Sequence, residues 1–373
     1  MKIKIKEALG AARRDYVFMA ALILAILSSI ITVPKIKYID FKVIISLFNL
    51  MIVVKAFEDL KLLDKSAVFL INKCKSRRNI SLVLICMCFF GSMFITNDVA
   101  LITFVPLSVI IGKKIHTRTM ETIILQTLAA NIGSSLTPMG NPQNLYIFSF
   151  YNISLVQFVK IMLPVGIIGF ILLCLFNLRL ENSSLCVKLD NIRLAGRKEI
   201  AIWTLVFLVI ISSVFRIIDY RIAFLITVLA AFFMNRKLFK KVDYLLLITF
   251  VCFFIFTGNI SSIKSVNDIF VKSLKSSMAT YFASIGICQV ISNVPCSILL
   301  SHFTSRWRAL LLGVDVGGIG TMIASLASII SYKLFIKNSK SGSSSIGREY
   351  ISKFTIYNII TLVVLALTGI AII

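Results

Sequence analysis

The sequence predicts an all-α polytopic membrane protein made of two inverted repeats, and three observations lead to this fold class. First, 58% of the 373 residues are hydrophobic and the mean hydropathy is +0.94, more apolar surface than a soluble core can hide. Second, apolar runs recur along the whole chain. Third, a polar, glycine-rich phrase interrupts one of these runs in each half.

The two interrupting phrases are the clearest sign of duplication. They read NIGSSLTPMGNPQN at 131–144 and DVGGIGTMIASLAS at 315–328. One register aligns them and pairs Asn131 with Asp315, Gly133 with Gly317, Thr137 with Thr321, Asn141 with Ser325, and Asn144 with Ser328. Interrupted hydrophobic segments at corresponding positions of two halves indicate the binding site of a transporter.

The first inverted repeat is predicted at 1–178. We expect, in order, an extra N-terminal helix at 16–33, a helix at 41–57, an amphipathic interfacial helix at 58–75, a re-entrant hairpin at 80–111, a broken helix at 119–152 and a returning helix at 161–178. The hairpin is expected because Thr96, Asn97 and Asp98 interrupt its apolar stretch and basic residues bracket it. The polar segment 179–198 is predicted to be a cytoplasmic linker.

The second inverted repeat, 199–373, is predicted to follow the same order. We expect helices at 200–216, 222–234 and 243–257, an amphipathic stretch at 260–276, a hairpin at 278–300, a broken helix at 308–335 and a last helix at 353–373. Ser292, Asn293 and Pro295 interrupt the hairpin. The total is about nine full spans plus two hairpins. The repeats are expected to be inverted because the first amphipathic stretch falls inside and the second outside.

The charge distribution predicts the orientation. The chain contains 40 lysine and arginine residues and 16 acidic residues, which gives a net charge of +24. That excess would suggest nucleic acid in a soluble protein, but most of the basic residues fall on one side of the predicted spans, as the positive-inside rule requires. We therefore expect a multi-pass protein of the cytoplasmic membrane, with the N-terminus in the cytoplasm, the C-terminus outside and no nucleic-acid partner.

The four breaks are expected to line one shared cavity, because non-helical backbone at membrane depth is tolerated only inside protein or beside water. Each break also resembles a helix restart. Asn141 can cap a half-helix that starts at Pro142, Ser325 can cap the other half-helix, and Asn97 and Asn293 can cap the second hairpin arms. Helix N-termini favour an anion, and the carbonyl groups that end the first arms favour a cation such as sodium.

Asp98 and Asp315 are the acidic residues that fall well inside the predicted membrane segments. An Asp at a helix centre costs roughly 2.5–3.5 kcal/mol on insertion scales. Sodium coordination or proton carriage is therefore predicted for both, ahead of simple capping of backbone N–H groups. For the glycine phrases a binding site is predicted ahead of close packing, although Gly313 and Gly317 form a GxxxG pair.

The predicted substrate- and ion-binding residues lie in the four breaks: Thr96, Asn97, Asp98, Asn131, Gly133, Ser134, Thr137, Pro138, Gly140, Asn141, Asn144, Ser292, Asn293, Pro295, Asp315, Gly317, Gly320, Thr321 and Ser325. Sodium is expected at Asn97, Asp98, Asn293 and Asp315. No cofactor is expected besides sodium or a proton as coupling ion.

Enzyme classes are not supported by the sequence. It contains no nucleophile with a paired base, no metal-ligand spacing among its eight cysteines and no phosphate-binding loop. His116 and His302 fall at predicted segment ends and receive no catalytic role. The missing phosphate loop also argues against an ATP-driven pump in this chain, and a separate ATPase subunit stays an open alternative.

At the four breaks the chain resembles the ion transporter superfamily, which contains arsenite permeases, citrate and divalent-anion sodium symporters, and sodium/proton antiporters. The resemblance covers nearly the whole chain. It implies a homodimer with elevator-like motion, and a site lined by Asn97, Thr137, Asn141, Asn293, Thr321 and Ser325. The second phrase is most similar to the arsenite-permease branch. The doubled Ser-Asn-Thr signature of dicarboxylate symporters is replaced by Thr-Asn-Asp and Ser-Asn-Val.

The expected function is secondary active transport of a small anion or oxyanion, such as arsenite or a di- or tricarboxylate, coupled to sodium or protons. The expected partners are this small anion, the lipid bilayer and a second copy of the chain. Two alternatives stay open at this point: a sodium/proton antiporter of the same superfamily, and a membrane scaffold without transport activity.

Overall fold

The computed structural model describes residues 16–114, 119–184, 189–190, 192, 196–338 and 344–373. The basic N-terminal residues, His116, and part of the predicted linker lie outside these ranges. Within them the chain is helical and has no strand. The helices are α1 Tyr16–Ile31, α2 Phe41–Asp59, α3 Leu62–Ile71, α4 Arg77–Ile95, α5 Asn97–Lys114, α6 Met120–Ser134, α7 Pro142–Phe150, α8 Leu155–Leu178, α9 Arg197–Val214, α10 Tyr220–Met234, α11 Tyr244–Ser261, α12 Lys264–Ser273, α13 Ser277–Ile291, α14 Asn293–Ser301, α15 Trp307–Gly317, α16 Leu326–Asn338 and α17 Ser344–Ile372.

Apolar outer surfaces mark the molecule as a membrane protein. Large side chains such as Ile30, Leu205 and Leu367 are more than half exposed on the outside of the helix bundle, a position that lipid favours and water does not. Among the described residues, α4, α8, α11 and α17 are long and apolar enough to cross a membrane. The exact number of spans stays a prediction.

One order of elements occurs twice along the chain. A helix, a short helix, a hairpin, a broken helix and a long helix appear as α2, α3, α4–α5, α6–α7 and α8, and again as α11, α12, α13–α14, α15–α16 and α17. Helix α1 precedes the first set, and α9 and α10 lie between the two sets. These two helices thus have no counterpart in the first set. The domain boundaries and the inversion of the repeats stay predictions.

The first hairpin extends beyond the predicted bounds 80–111, because α4 and α5 contain 19 and 18 residues. Helix α4 already starts at Arg77, where Ser76 caps it by accepting a hydrogen bond from Asn79 N at 3.3 Å. The base of the hairpin is also tied to the segment after α8, where Arg78 Nη2 donates to Leu180 O at 2.8 Å. In the second hairpin, α13 and α14 contain 15 and 9 residues.

Both hairpins turn at a non-glycine residue in a left-handed backbone conformation. The φ angle is 69° at Thr96 and 73° at Ser292, a region that costs energy for residues with a Cβ. The next N–H group then bonds to the break of the neighbouring helix: Asn97 N donates to Gly140 O at 3.1 Å and Asn293 N donates to Ala324 O at 3.0 Å. Each hairpin tip therefore lies at the depth of a helix break.

The second hairpin arms cross to the opposite set of helices. Helix α5 packs against α16, and α14 packs against α7, whereas the first arms α4 and α13 pack against α6 and α15 of their own sets. The broken helices and the hairpins thus form one interlocked group. Helices α2, α9 and α10 pack together beside it, and α1 packs along α11.

Candidate functional site

Four helix N-termini converge on one small cavity. Helix α5 begins at Asn97, α7 at Pro142, α14 at Asn293 and α16 at Leu326, and each of these residues lines the cavity. The central cavity, as we call it, has a volume of about 20 Å³, and Asp98, Gln143, Leu246, Val294 and Ser325 complete its lining. Such a volume holds about one water-sized species.

The caps of these helices differ partly from expectation. Asn141 caps α7 as predicted, since its side chain accepts from Asn144 N at 3.0 Å and Pro142 follows. Asn97 and Asn293 instead occupy the first helical positions, because the turn residues before them end the first arms. Ser325 Oγ donates to Asn131 Oδ1 at 3.1 Å. Polar side chains at these breaks therefore bond to one another as well as to the backbone.

Asn131 and Asp315 join the two halves of the molecule through equivalent contacts. Asn131 Oδ1 accepts the hydrogen bond from Ser325, just before α16. Asp315 Oδ1 accepts from Asn141 Nδ2 at 3.4 Å and from Gln143 Nε2 at 3.3 Å, at the start of α7. The register that pairs Asn131 with Asp315 also pairs Asn141 with Ser325. Each helix end thus contacts the helix start of the opposite half in the same way.

The Asp315 carboxylate is surrounded by amides and by no cation. It is 5% exposed, and no Lys or Arg in the described part of the chain forms an ion pair with it. With the Asn144 amide turned to satisfy both groups, its nitrogen lies 2.8 Å from Asp315 Oδ2. Amides donate hydrogen bonds but do not neutralise charge. The site therefore suits a bound cation or a proton on this carboxylate.

Asn131 supplies a hydrogen-bond donor, which favours an oxygen atom, whereas the Asp315 carboxylate favours a cation. Its Oδ1 accepts from Asn97 Nδ2 at 3.1 Å, whereas its Nδ2 is buried and has no hydrogen-bond partner. An unpaired buried donor costs about 1–3 kcal/mol. Asn131 itself does not line the central cavity, so a water or ligand oxygen would have to reach past Asn97 or Ser325 to satisfy this donor.

Asp98 faces a larger cavity that adjoins the central one. This cavity of about 160 Å³, the inner cavity, is lined by Thr96, Asp98, Asp243, Lys55, Lys241 and apolar residues of α2, α5 and α11. Asp98, Pro142 and Leu246 line both cavities. The central cavity is therefore continued toward the end of the molecule where α2 ends and α11 begins.

The two lysines of the inner cavity are already paired. Lys55 Nζ lies 2.9 Å from Glu58, and Lys241 forms an ion pair with Asp59. Neither Asp98 nor Asp243 forms an ion pair within the described ranges. These two carboxylates thus give the inner cavity a negative charge that the lysines do not cancel.

Thr137 and Thr321 lie away from the central cavity. Thr137 Oγ1 donates to Met93 O at 2.5 Å, and Thr321 Oγ1 donates to Gln289 O at 3.1 Å. Both hydroxyl groups cap carbonyl groups in the last turn of a first hairpin arm. They hold the hairpins to the broken helices and do not face the ligand space.

The glycines of the phrases allow close packing. A Cβ on Gly133 would lie 2.0 Å from Phe89 O, and a Cβ on Gly317 would lie 2.9 Å from Ile285 Cα. Phe89 and Ile285 belong to the first hairpin arms. Gly133 and Gly317 therefore let the broken helices approach the hairpins, and neither lines the central cavity.

The other predicted residues stabilise the breaks without lining the central cavity. Ser134 Oγ accepts from Asn141 Nδ2 at 3.2 Å, and Ser292 Oγ donates to Ala324 O at 3.3 Å. The remaining members do not line the central cavity: Pro138 and Gly140 are buried between α6 and α7, Gly320 has φ 150° beside Gln289, and Pro295 lines an apolar pocket next to α1.

Five residues that line the central cavity were not among the predicted site residues: Pro142, Gln143, Leu246, Val294 and Leu326. Pro142, Val294 and Leu326 adjoin predicted residues in the chain, whereas Gln143 and Leu246 add something new. Gln143 lines the central cavity and contacts Asp315; it lies inside the first phrase, and the restart of a helix at Pro142 is the signal that points to it. Leu246 comes from α11, outside both sets of breaks. Its apolar surroundings in the sequence carry no sign of a binding role.

Comparisons with known proteins place these features in a family. The family model described as citrate transporter, CitMHS, matches residues 5–305. An uncharacterized transporter of Methanocaldococcus jannaschii is 35% identical over 331 residues, which are 87% of this chain and 90% of that protein. The inner membrane protein YbiR of Escherichia coli is 29% identical over 299 residues, 79% of this chain and 80% of that protein.

A more distant match agrees with the resemblance seen in the motifs. A Dictyostelium discoideum protein that carries the transporter name arsB is 29% identical over 152 residues, which cover 39% of this chain and 26% of that protein. The family and these relatives confirm that the chain is a membrane transporter and not an enzyme. The chain belongs to the citrate transporter family.

Proposed function

We propose that the protein is a secondary active transporter that moves a small anion or oxyanion across the cytoplasmic membrane, coupled to sodium or protons. The observation that carries this proposal is the convergence of four helix N-termini on the central cavity. Each helix N-terminus carries a partial positive charge from the helix dipole. No lysine or arginine lines the central cavity. The four helix N-termini are therefore the groups that favour an anion there.

The carboxylates supply the coupling. Asp315, held by amides alone, and Asp98, at the junction of the two cavities, are the proposed positions for sodium or a proton. Asn97 and Asn293 line the same cavity and are proposed to contribute side-chain oxygens, the ligand type that sodium and other hard cations prefer. A cation next to the anion reduces the cost of burying either charge alone.

The central cavity as observed is smaller than a tricarboxylate. Transport of such a substrate requires the hairpin tips to separate from the broken helices, which the backbone bonds at Asn97 and Asn293 now hold together. We propose that the inner cavity is the route to the cytoplasm in this conformation. This orientation follows the positive-inside rule, and it places the ion pairs of Lys55 and Lys241 at the cytoplasmic end.

A sodium/proton antiporter is the second candidate. The negative charge of the inner cavity favours it, because Asp98 and Asp243 would attract cations along the same route. In that case the central cavity exchanges two cations and takes no anion.

Proteoliposomes distinguish the two candidates. Uptake of labelled citrate, succinate, sulfate or arsenite that depends on a sodium or proton gradient supports the first proposal. Movement of protons in response to sodium, with none of these anions present and no anion uptake, supports the antiporter instead.

The wider arrangement belongs to the same proposal. We propose a homodimer in the cytoplasmic membrane, with 1–178 and 199–373 as inverted repeats, the N-terminus in the cytoplasm and the C-terminus outside. The mass of the protein in detergent, measured by light scattering, tests the dimer.

A further inference from the structure

Another cavity lies at the other end of the molecule from the inner cavity. It has a volume of about 270 Å³, and its lining includes Lys37, Asp40, Tyr146, Phe150 and His302. None of its lining residues is shared with the central cavity. We call it the outer pocket, because the positive-inside rule places the loop between α1 and α2 outside.

The outer pocket is linked to the central cavity by two helices. Helices α7 and α14 both start at the central cavity, and they end at Phe150 and Ser301, beside the outer pocket. Each has nine residues, a length of about 13 Å at 1.5 Å per residue. The outer pocket therefore lies one short helix length from the central cavity.

A close contact between these helices now separates the two spaces. Tyr146 Oη and Ser301 Oγ lie 2.6 Å apart, and Tyr151 Oη donates to Ser301 O at 3.0 Å and to Thr304 O at 2.7 Å. These bonds tie α7 to the end of α14. The outer pocket is thus closed off from the central cavity, whereas the inner cavity adjoins the central cavity.

The polar groups of the outer pocket suit an anion. Lys37 is exposed and forms no ion pair within the described ranges. The Asp40 side chain is already used as the cap of α2, where it accepts from Val43 N at 3.1 Å, and burial raises the pKa of its carboxyl group. His302 Nδ1 lies 3.2 Å from Ile298 O. A carboxylate beside the ring favours the protonated imidazole, in which Nδ1 donates to Ile298 O and Nε2 is free to donate to the ligand.

The size and walls of the pocket limit the ligand further. His302 packs on Phe150 with ring centroids 5.2 Å apart, and Phe254 adds a second aromatic wall. The volume lies just below the range of about 300–1,000 Å³ that drug-sized ligands occupy. A small molecule with one or more carboxylate groups fits this combination of a free ammonium, an imidazole and aromatic walls.

We propose that the outer pocket binds a small carboxylate anion, with Lys37 as its charged contact, and that it is the outer loading site of the transporter. The role in loading rests on the proposed function. Release of the Tyr146–Ser301 contact then opens the way from this pocket to the central cavity.

Binding of labelled citrate or succinate to the purified protein in sodium buffer tests the proposal. Lys37→Gln is expected to weaken binding roughly tenfold, the value of one charge-assisted hydrogen bond. Asp40→Asn retains a capping side chain and removes a negative charge, so binding is expected to strengthen. Lys35→Gln is the matched control, since it removes an equal charge from the same loop outside the pocket lining, and binding should not change.

Asn293→Ala, in the central cavity, separates this proposal from the proposed function. We expect this variant to lose uptake and to retain binding that depends on Lys37. The proposal is overturned if neither anion binds to the wild type, if Lys37→Gln behaves like Lys35→Gln, or if Asn293→Ala removes all binding. Lys37-dependent binding in a protein that transports no anion would contradict the proposed function and leave the binding site standing.

Discussion

At the scale of single residues, Asp315 has the most unusual surroundings in the described part of the chain. Its carboxylate is buried, and its partners are the amides of Asn141, Gln143 and Asn144. A buried carboxylate without a paired positive charge carries a large desolvation cost. Binding of sodium or of a proton would remove that cost, which is why we propose this residue for the coupling.

Replacing Asp315 by Asn tests this assignment. The change keeps the shape and removes the charge, so we expect gradient-driven uptake to fall at least about tenfold and its sodium or proton dependence to disappear. Initial rates against sodium concentration and pH measure the effect. Asp268→Asn, on the exposed side of α12, is the control and should behave like the wild type. Unchanged cation dependence in Asp315→Asn would mean that the carboxylate only caps backbone and amide groups.

Asp243 provides a second test of the cation route. It caps α11 by accepting from Leu246 N at 3.0 Å, and Asn caps helices about as well as Asp. Removing one unit charge from the inner cavity should raise the half-saturating sodium concentration roughly fivefold. Asp219→Asn is the matched control, because Asp219 caps α10 in the same manner, accepting from Arg221 N at 2.7 Å, and does not line the inner cavity. Equal effects of both changes would exclude a cation route past Asp243.

The sequence predicts which segments form the site better than it predicts which residues line the cavity. Four predicted residues line the central cavity: Asn97, Asp98, Asn293 and Ser325. This outcome is expected because polar groups inside apolar segments must face protein or a water-filled cavity and not lipid. Thr137 differs because hydroxyl groups also cap nearby carbonyl groups. Whether a hydroxyl group lines the cavity or caps a carbonyl group depends on its distance from the hairpin. That distance cannot be read from the spacing of residues in the sequence.

At the scale of elements, each broken helix fits against the first arm of its own hairpin. Gly133 and Gly317 occupy equivalent positions in these contacts, facing Phe89 and Ile285. The tips then bond to the breaks through Asn97 N and Asn293 N. Close packing and the tip bonds together hold four helix N-termini around one small space.

Gly133→Ala tests the packing of the first broken helix. The added Cβ would lie 2.0 Å from Phe89 O, so the backbones must separate, and overpacking of this kind costs about 1–3 kcal/mol. We expect a lower unfolding temperature in a thermal-shift measurement. Gly286→Ala is the control, because a Cβ there meets nothing within 4 Å and Ala favours a helix over Gly by about 1 kcal/mol. Equal stability of the two variants would contradict the close contact.

The hairpins are predicted from the sequence, but the lengths of their arms are not. The interruption at Thr96 to Asp98 marks the first tip, because polar residues inside an apolar run need a break. The extension of α4 back to Arg77 depends on the cap at Ser76 and on contacts with Leu180. Contacts between segments a hundred residues apart leave no local pattern.

At the scale of the whole molecule, contacts link segments that the charge rule assigns to the same side. Lys241 pairs with Asp59 at one end, and Tyr151 bonds to Ser301 and Thr304 at the other. The order of elements also repeats, which fits two halves of similar design. An odd number of crossings between the two amphipathic helices would make the halves inverted.

Accessibility of single cysteines tests the inversion. Lys65→Cys in α3 and Lys272→Cys in α12 are both at exposed positions, and they are introduced after the eight native cysteines have been replaced. A membrane-impermeant maleimide should label Lys272→Cys in intact cells and Lys65→Cys only after the membrane is opened. Labelling of both positions from the same side would rule out inverted repeats.

Gradient-driven uptake in proteoliposomes tests the central claim of coupled anion transport most directly. The purified protein is reconstituted, and uptake of labelled citrate, succinate, sulfate and arsenite is followed with an inward sodium gradient, an inward proton gradient or neither. We predict accumulation of at least one of these anions under one of the gradients, and its loss in Asp315→Asn. No accumulation of any of them, together with sodium-driven proton movement in their absence, would contradict anion transport and identify a cation antiporter.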